Sequence, residues 1–442
     1  MTSGSTGLPL RVESTGCPYL IIGNSAAATG GVSGLREVDR DKPVTLIARE
    51  TEHVYSRPLI SYLLAGKVDE KRMHCRPPDF YETNGVEALL GLEVTRIDTE
   101  ARTVRTSDGR TFAFEKLLIA TGGRPIVPRE IPGTEARGVF TFTTWEDARR
   151  IRSYIDEGGV KRAVVVGGGL IGLKSVEALQ ALGVETSIVE LAERILSATF
   201  DQTASELAST FLREAGVEVR CGTTVSEIET SEGRVTGVRL RDGSRRPAAL
   251  LLFAIGVTPD LRLVKDTRIA ADQGILTDDT METSVKGIYA AGDVVQTTDL
   301  LGGAKRPIPI LPNAYRQGHV AGVNMAGGRL TFKGGISMNA VDICGLPTIS
   351  VGVTDPKSDG YEILSTLDAR NSTYRKIVLK DDRIVGAIFI GQIDRAGIFT
   401  GLIRDKVNVS ALKDLLLAED FGVLSLPKDY RKHVVSGQGI EV

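Results

Sequence analysis

Gly167, Gly169 and Gly172 stand in the run AVVVGGGLIGLKSVEAL (163–179), and Glu190 ends the next apolar run. That set of residue types suits the binding of a diphosphate. The first glycine permits a tight turn, the second lets the backbone approach phosphate, and the third lets a helix pack on its strand. Amides at the helix N-terminus then face the negative charge. Leu170 and Ile171 open that helix and belong to the same candidate site. A carboxylate roughly 20 residues on accepts hydrogen bonds from a ribose and repels a 2′-phosphate. Glu190 fills that place, with Arg194 close by to soften the discrimination. A second run, YLIIGNSAAATGG (19–31), has the same layout with departures. Gly23 is kept, Ser25 and Ala28 stand in the later glycine places, and Glu50 ends the following strand. Asn24, Ser25 and Ala26 make the turn into its helix. Two such turns imply two dinucleotides in one chain, and electrons moving between them.

The elements that must position these residues read as periodic runs. A strand over 19–23, a helix over 26–38 and a strand over 44–48 form one βαβ unit. The loop and helix HVYSRPLISYLLAG (53–66) follow. Short antiparallel strands around 91–105 and 111–120 turn at Asp108-Gly109, and LLIATGGRP (117–125) closes this part. The second unit begins near Trp145 and repeats the plan. Its strand is 163–166, its helix 170–182, its next strand 186–190, its antiparallel excursion 217–240 and its return strand 250–259. Thr121-Gly122 and Ile255-Gly256 occupy equivalent points. GIYAAGDVV (287–295) and a helix over 313–325 come next, and Gly334-Gly335 marks a linker. The remainder carries strands such as RKIVLK and RIVGAIFI, with amphipathic helices near 397–406 and 410–418, and reads as a small α+β domain.

Composition bounds the rest. The chain has 442 residues, which as a prior is about three domains. Its net charge of −2 gives no support for binding nucleic acid or an anionic membrane. The longest apolar stretch, 249–257, falls well short of the ~20 residues needed to span a bilayer. The first 16 residues have no charged start and apolar core, so a flexible tail and a cytoplasmic protein are expected. Cys17, Cys75, Cys221 and Cys344 show no CxxC or CxxxxC spacing, so no iron–sulfur, zinc or redox-disulfide signature is present. No metal-ligand cluster and no Ser–His–Asp arrangement is apparent, and none is expected.

GIYAAGDVV resembles the second FAD fingerprint of flavoproteins with two dinucleotide-binding domains. LLIATGGRP resembles their linking segment, and YSRPLISYLLAG resembles their loop beside the flavin. With the two glycine turns in the same order, the chain resembles the pyridine nucleotide-dependent flavoprotein oxidoreductase superfamily, also called the pyridine nucleotide-disulfide oxidoreductases. YSRPLISYLLAGK, NSTYRKIVLKDDRIVGAIFIG and IDRAGIFTGLIRDK are most similar to its branch of rubredoxin reductases, nitrite reductase flavin modules and carbon monoxide dehydrogenase-associated flavoproteins.

The resemblance implies an α/β fold. Two doubly wound Rossmann-like domains are expected, a discontinuous FAD domain over 17–144 and 273–335 and an inserted NAD domain over 145–272. A C-terminal α+β domain spans 336–442, behind an N-terminal tail over 1–16. It implies that Asp293 bonds a ribitol hydroxyl while Gly292 admits the backbone, and that Glu50 holds the adenosine ribose. Arg57 and Pro58 line the flavin, Val94 meets adenine through its backbone, and Ala120, Thr121 and Gly122 pass close to the cofactor. Leu311 and Pro312 begin a helix whose N-terminus faces the flavin, where its dipole favours negative charge. Gly256 joins Gly167, Gly169, Leu170, Ile171, Gly172 and Glu190 in the NAD site. Disulfide reductases of the superfamily carry a redox thiol beside the flavin; here Tyr55-Ser56-Arg57-Pro58 stands there, so thiol chemistry is disfavoured. Relatives also pair a helix glutamate with a loop lysine near the flavin. This chain has Lys174 and Tyr62 at those positions, so Lys174 is the candidate catalytic cation.

The function expected is NADH-dependent reduction of FAD, with NADH preferred over NADPH. Electrons then pass to a separate acceptor protein such as rubredoxin, ferredoxin or an iron–sulfur subunit. An NADH oxidase reducing dioxygen, and a nucleotide-binding scaffold or redox sensor with little turnover, are the alternatives. A homodimer is left open, because the C-terminal domain forms a dimer interface in only some relatives.

Overall fold

The computed structural model describes residues 17–426 and residue 431, so the tail expected over 1–16 lies outside the described residues. The chain divides into two units, Met1–Pro125 with Val257–Gly335, and Ile126–Gly256 with Ile336–Val442. These edges differ from those read in the sequence. Val139–Thr141 pairs with Leu250–Phe253 in the second unit, while Val257–Pro259 pairs with Gly123–Pro125 in the first. Strands of three residues are too short to show a period, so their allegiance was invisible.

In the first unit a parallel layer runs Val86–Leu90, Val44–Ala48, Cys17–Ile22, Thr111–Ile119 and Ile288–Ala290. The inner strands are apolar nearly throughout, as strands covered on both faces must be. The start of Thr111–Ile119 also pairs antiparallel with Thr103–Thr106, which pairs with Val94–Asp98. Helices Ala26–Val38 and Leu311–Met325 pack backbone against backbone. A methyl on Gly30 would lie 2.1 Å from the Tyr315 carbonyl oxygen, and one on Gly34 would lie 2.1 Å from that of His319. From the other side, a methyl on Gly318 would lie 1.9 Å from the Ala27 oxygen and one on Gly322 would lie 2.1 Å from that of Gly31. Mid-helix glycine costs about 1 kcal/mol relative to alanine. Here four of them are what lets the helix after the first turn meet the helix expected beside the flavin.

The second unit holds a parallel sheet in the order Glu218–Arg220, Glu185–Val189, Arg162–Val166, Leu250–Phe253, Val139–Thr141. A meander of Val225–Ser231, Arg234–Leu240 and Arg245–Pro247 rises from it. The C-terminal part is an antiparallel sheet ordered Met338–Ile343, Leu346–Gly352, Arg383–Ile390, Thr373–Lys380, Glu362–Asp368. Helix Ala396–Arg404 packs on it through Phe399 against Phe389. The second helix expected there is only a 3-10 turn, Ser410–Leu415, with no capping side chain at Val409 to start a longer one.

Three polar links join the C-terminal sheet to the Rossmann-like part of this unit. Asp201 caps helix Gln202–Glu214 and accepts from Tyr374 (2.7 Å) and Lys376 (2.8 Å). Arg194 reaches Asp355, and Lys174 with Glu177 meets the hairpin turn after Met338–Ile343. Among the described residues no helix is long and apolar enough to cross a membrane.

Candidate functional site

The first glycine turn is built by close approach. Gly23 has φ +118°, and its amide donates to Ile47 at 2.9 Å. A methyl there would strike the Ala120 carbonyl at 2.2 Å. Ser25 precedes helix Ala26–Val38 but makes no capping bond with its hydroxyl. That hydroxyl accepts from Arg57 Nε at 3.4 Å. Arg57 also pairs with Glu50, and Tyr55 Oη donates to the same carboxylate at 2.5 Å. Burial works against the Arg57 charge, but Tyr55 and Glu50 outweigh it and hold the guanidinium firmly protonated. Ser25, Glu50 and Arg57 are thus one network on one turn, with Pro58 in the 3-10 turn Arg57–Leu59 that follows.

Asn24 points elsewhere. Its side chain accepts from Tyr81 Oη (2.8 Å) and donates to the Glu52 carbonyl (3.1 Å), so any ligand contact there falls to its backbone, as it does for Ala26. Val94 is buried and follows a loop tied to the strand end, where the Gly91 amide donates to the Glu50 carbonyl. Gly292 donates its amide to Gln317 Oε1 at 2.8 Å. Burial pushes the Asp293 carboxyl up, and the nearby Arg57 charge opposes that rise. Leu311 and Pro312 form the first turn of helix Leu311–Met325.

The second turn repeats the first. Gly167 has φ +111° and donates to Val189, and a methyl there would lie 2.4 Å from the Ala254 oxygen. A methyl on Gly172 would lie 2.0 Å from the Gly167 oxygen. Leu170 and Ile171 open helix Leu170–Ala181 between them. The Glu190 carboxylate is gripped at both oxygens, by the Gly168 amide (2.6 Å) and the Ala192 amide (2.7 Å). Gly256 has φ +109° at the end of the return strand. Arg194 lies in the loop beyond Glu190, whose Leu196 amide folds back onto the Gly168 carbonyl at 2.9 Å. Its guanidinium does not face Glu190; it donates to Asp355 (2.7 Å) and the Phe200 carbonyl (3.3 Å). Lys174 pairs with Glu177 and donates to the Asp342 carbonyl at 3.2 Å, while Glu177 accepts the Cys344 amide at 3.0 Å.

The residues fit the two dinucleotides. Thr121 Oγ1 is buried without a partner in the segment expected to pass the flavin. Neither Gly122 nor Gly169 has a protein atom within 4 Å of where a methyl would be, so no packing demand explains a glycine at Gly169. A phosphate approaching the backbone does.

Gln317, Tyr81 and the bond from Tyr55 to Glu50 escaped the sequence reading. None of the three carried a signal, and Gln317 shares its helix with Asn313, Arg316, His319 and Asn324. Cys75 belongs to no paired-cysteine spacing in the sequence. The fold brings it to the flavin loop, with its amide donating to the Val54 carbonyl at 3.3 Å. Burial pushes its thiol up, away from the reactive thiolate. Among the described residues no group of His, Cys, Asp and Glu is arranged to hold a metal ion.

Comparison with known proteins agrees with this geometry. The pyridine nucleotide-disulphide oxidoreductase family matches residues 18–318, and the rubredoxin NAD+ reductase C-terminal domain matches residues 338–407. The NADH-dependent phenylglyoxylate dehydrogenase subunit epsilon of Aromatoleum evansii is 31% identical over 92% of this chain and 96% of its own. The structure of an NAD-dependent persulfide reductase from A. fulgidus superposes with a TM-score of 0.84 at 28% identity, covering 91% of this chain and 79% of that one. The reductase in the covalent putidaredoxin reductase–putidaredoxin complex gives a TM-score of 0.80 at 28% identity, over 88% and 94%.

Proposed function

The chain belongs to the pyridine nucleotide-disulphide oxidoreductase family and is an FAD-dependent NAD(P)H oxidoreductase, within which we propose that it takes electrons from NADH and delivers them to a separate electron-carrier protein. The observation that carries the nucleotide half is the Glu190 carboxylate. Two backbone amides fix it at the end of the turn. Ribose hydroxyls can still donate to it, whereas a 2′-phosphate would meet a like charge it cannot turn away from.

Bound FAD would supply hydride-accepting chemistry and the capacity to release electrons singly or in pairs. The chain's own residues then bind and orient. Gly23 and Ser25 receive the diphosphate, Glu50 the ribose, and Asp293 the ribitol chain. The N-terminus of helix Leu311–Met325 sets its positive end toward the flavin ring. Thr121 Oγ1 supplies a buried hydroxyl for the cofactor to satisfy.

Delivery to a carrier is supported by the residues beside the flavin. Tyr55-Ser56-Arg57-Pro58 offers no thiol to receive the electrons, and desolvation pushes the thiol of nearby Cys75 up. A C-terminal domain of the rubredoxin NAD+ reductase kind and a structural relative caught with putidaredoxin point to a small one-electron protein, rubredoxin, ferredoxin or an iron–sulfur subunit. No disulfide joins Cys17, Cys75, Cys221 or Cys344, which suits the cytoplasm.

The test is steady-state NADH consumption with and without a one-electron dye. A carrier reductase turns over fast only with the dye. Equal rates without it would make the protein an oxidase, and slow rates in both a scaffold. The same assay with NADPH measures the nucleotide preference. Glu190→Ser should narrow that preference, and equal kcat/KM for both nucleotides in the unmodified enzyme would refute the role of Glu190.

A further inference from the structure

We propose that Asp355, in the C-terminal domain, is a specificity residue for the nucleotide: it latches Arg194 away from the place a 2′-phosphate would take. The inference rests on the NADH reading above and deepens it.

Arg194 is the obvious threat to NADH preference. It stands in the loop just past Glu190, and that loop folds back onto the glycine turn through the Leu196 amide and the Gly168 carbonyl. A free guanidinium there would offer a 2′-phosphate the bidentate pairing that arginine makes best. In the structure its Nη2 instead donates to Asp355 Oδ2 at 2.7 Å and to the Phe200 carbonyl at 3.3 Å. The pair is three-quarters buried, with side-chain exposures of 21% and 26%. Asp355 is itself fixed, since Lys357 donates to the same oxygen at 2.6 Å. Burial works to raise the Asp355 carboxyl, but Lys357, Arg194 and Lys376 outweigh it and hold it below the usual carboxylate range. Arg194 Nε is buried without a partner. The latch therefore leaves the guanidinium part-satisfied, with donor capacity that a phosphate would fill. Two features then act together on one discrimination. Glu190 repels the phosphate, and Asp355 withholds the cation that would offset Glu190.

The experiment measures kcat/KM with NADH and with NADPH for the holoenzyme, Asp355→Asn, and Asp355→Asn combined with Arg194→Leu. Asp355→Asn should raise the NADPH:NADH ratio about tenfold, equivalent to about 1.4 kcal/mol. The double variant should return the ratio to that of the unmodified enzyme, because the gain belongs to Arg194 and not to the freed Lys357. A strong NADH preference that Asp355→Asn leaves unmoved overturns the latch and spares the NADH reading. A ratio that stays raised without Arg194 also overturns it. An unmodified enzyme that shows no preference refutes the NADH reading first, and the latch with it. NADPH titration of the fluorescence of each protein, read without turnover, should show the same ordering in Kd.

Discussion

Asp293 and Arg57 show how a binding site stores cost in the unliganded protein. The Asp293 carboxyl is raised by burial, with only the Arg57 charge to oppose it. Its folded pKa therefore lies above the unfolded value of about 3.9. The stability this supplies is complete below the unfolded value and is lost as pH rises through the folded one. Asp293→Asn removes that loss. Apoprotein carrying it should have a higher urea midpoint than the parent at pH 7 and a similar one at pH 4. FAD retention should fall in the same variant, by about 1.5–3 kcal/mol, since a hydroxyl loses its charged acceptor. Equal midpoints at pH 7 would mean that Arg57 already neutralises the site. Lys174 poses a different question. We propose it as the cation that tunes the hydride step, acting from its pair with Glu177. Lys174→Met should then slow flavin reduction by saturating NADH in stopped flow while FAD content holds. An unchanged rate with a lowered melting temperature would leave it only the bracing of the C-terminal hairpin. The glycine and carboxylate positions of both turns were legible because their chemistry is local. Gln317 and the Asp355 contact were not, because their partners lie far off in sequence.

Among the elements, the interlocked helices Ala26–Val38 and Leu311–Met325 make the sharpest case. Alanine normally favours a helix over glycine by about 1 kcal/mol. At Gly318 the sign should reverse, because a methyl would fall 1.9 Å from the Ala27 carbonyl and must push the helices apart. A penalty of about 1–3 kcal/mol or more is expected, as for overpacked cores. Gly397, exposed in helix Ala396–Arg404 with nothing within 4 Å, is the control, and Gly397→Ala should stabilise. Urea unfolding of both variants decides it. If Gly318→Ala is neutral, the close approach does not hold the cofactor helices. The sequence displayed these glycines, and the helices around them were read correctly. Their purpose was hidden, since a glycine that packs and a glycine that merely weakens a helix look alike until the partner is known.

The whole molecule assembles its second unit through buried charge. Lys376 and Asp201 have side-chain exposures of 6% and 11% and lie 2.8 Å apart, with Tyr374 on the same oxygen. Taking away one partner of such a pair costs about 3–5 kcal/mol, because the other charge is left buried alone. Lys376→Met should therefore destabilise the protein by roughly that amount in calorimetry or urea. Adding Asp201→Ser, which keeps a capping oxygen for helix Gln202–Glu214, should recover much of it. A single-variant loss under about 1 kcal/mol would show that the pair is not a brace. The α/β class and the repeated plan were legible from patterning, and the inserted second domain was implied by the family resemblance. The allegiance of the C-terminal domain was not, since it depends on these long-range pairs.

The strand pair between Gly123–Pro125 and Val257–Pro259 has a bearing on recombination. Val257 lies opposite Pro125, and the Ile126 amide donates to the Gly256 carbonyl at 3.1 Å, so the inserted segment leaves and rejoins the first unit at neighbouring points. Such a segment invites exchange as a cassette. Yet Asp201, Arg194 and Glu177 inside it are partnered by Lys376, Asp355 and Cys344 beyond Gly335. A chimera that swaps 126–256 alone severs every one of those bonds. One that carries 336–442 with it keeps them, which makes three crossover points, not two, the natural grammar for shuffling nucleotide specificity among proteins of this build.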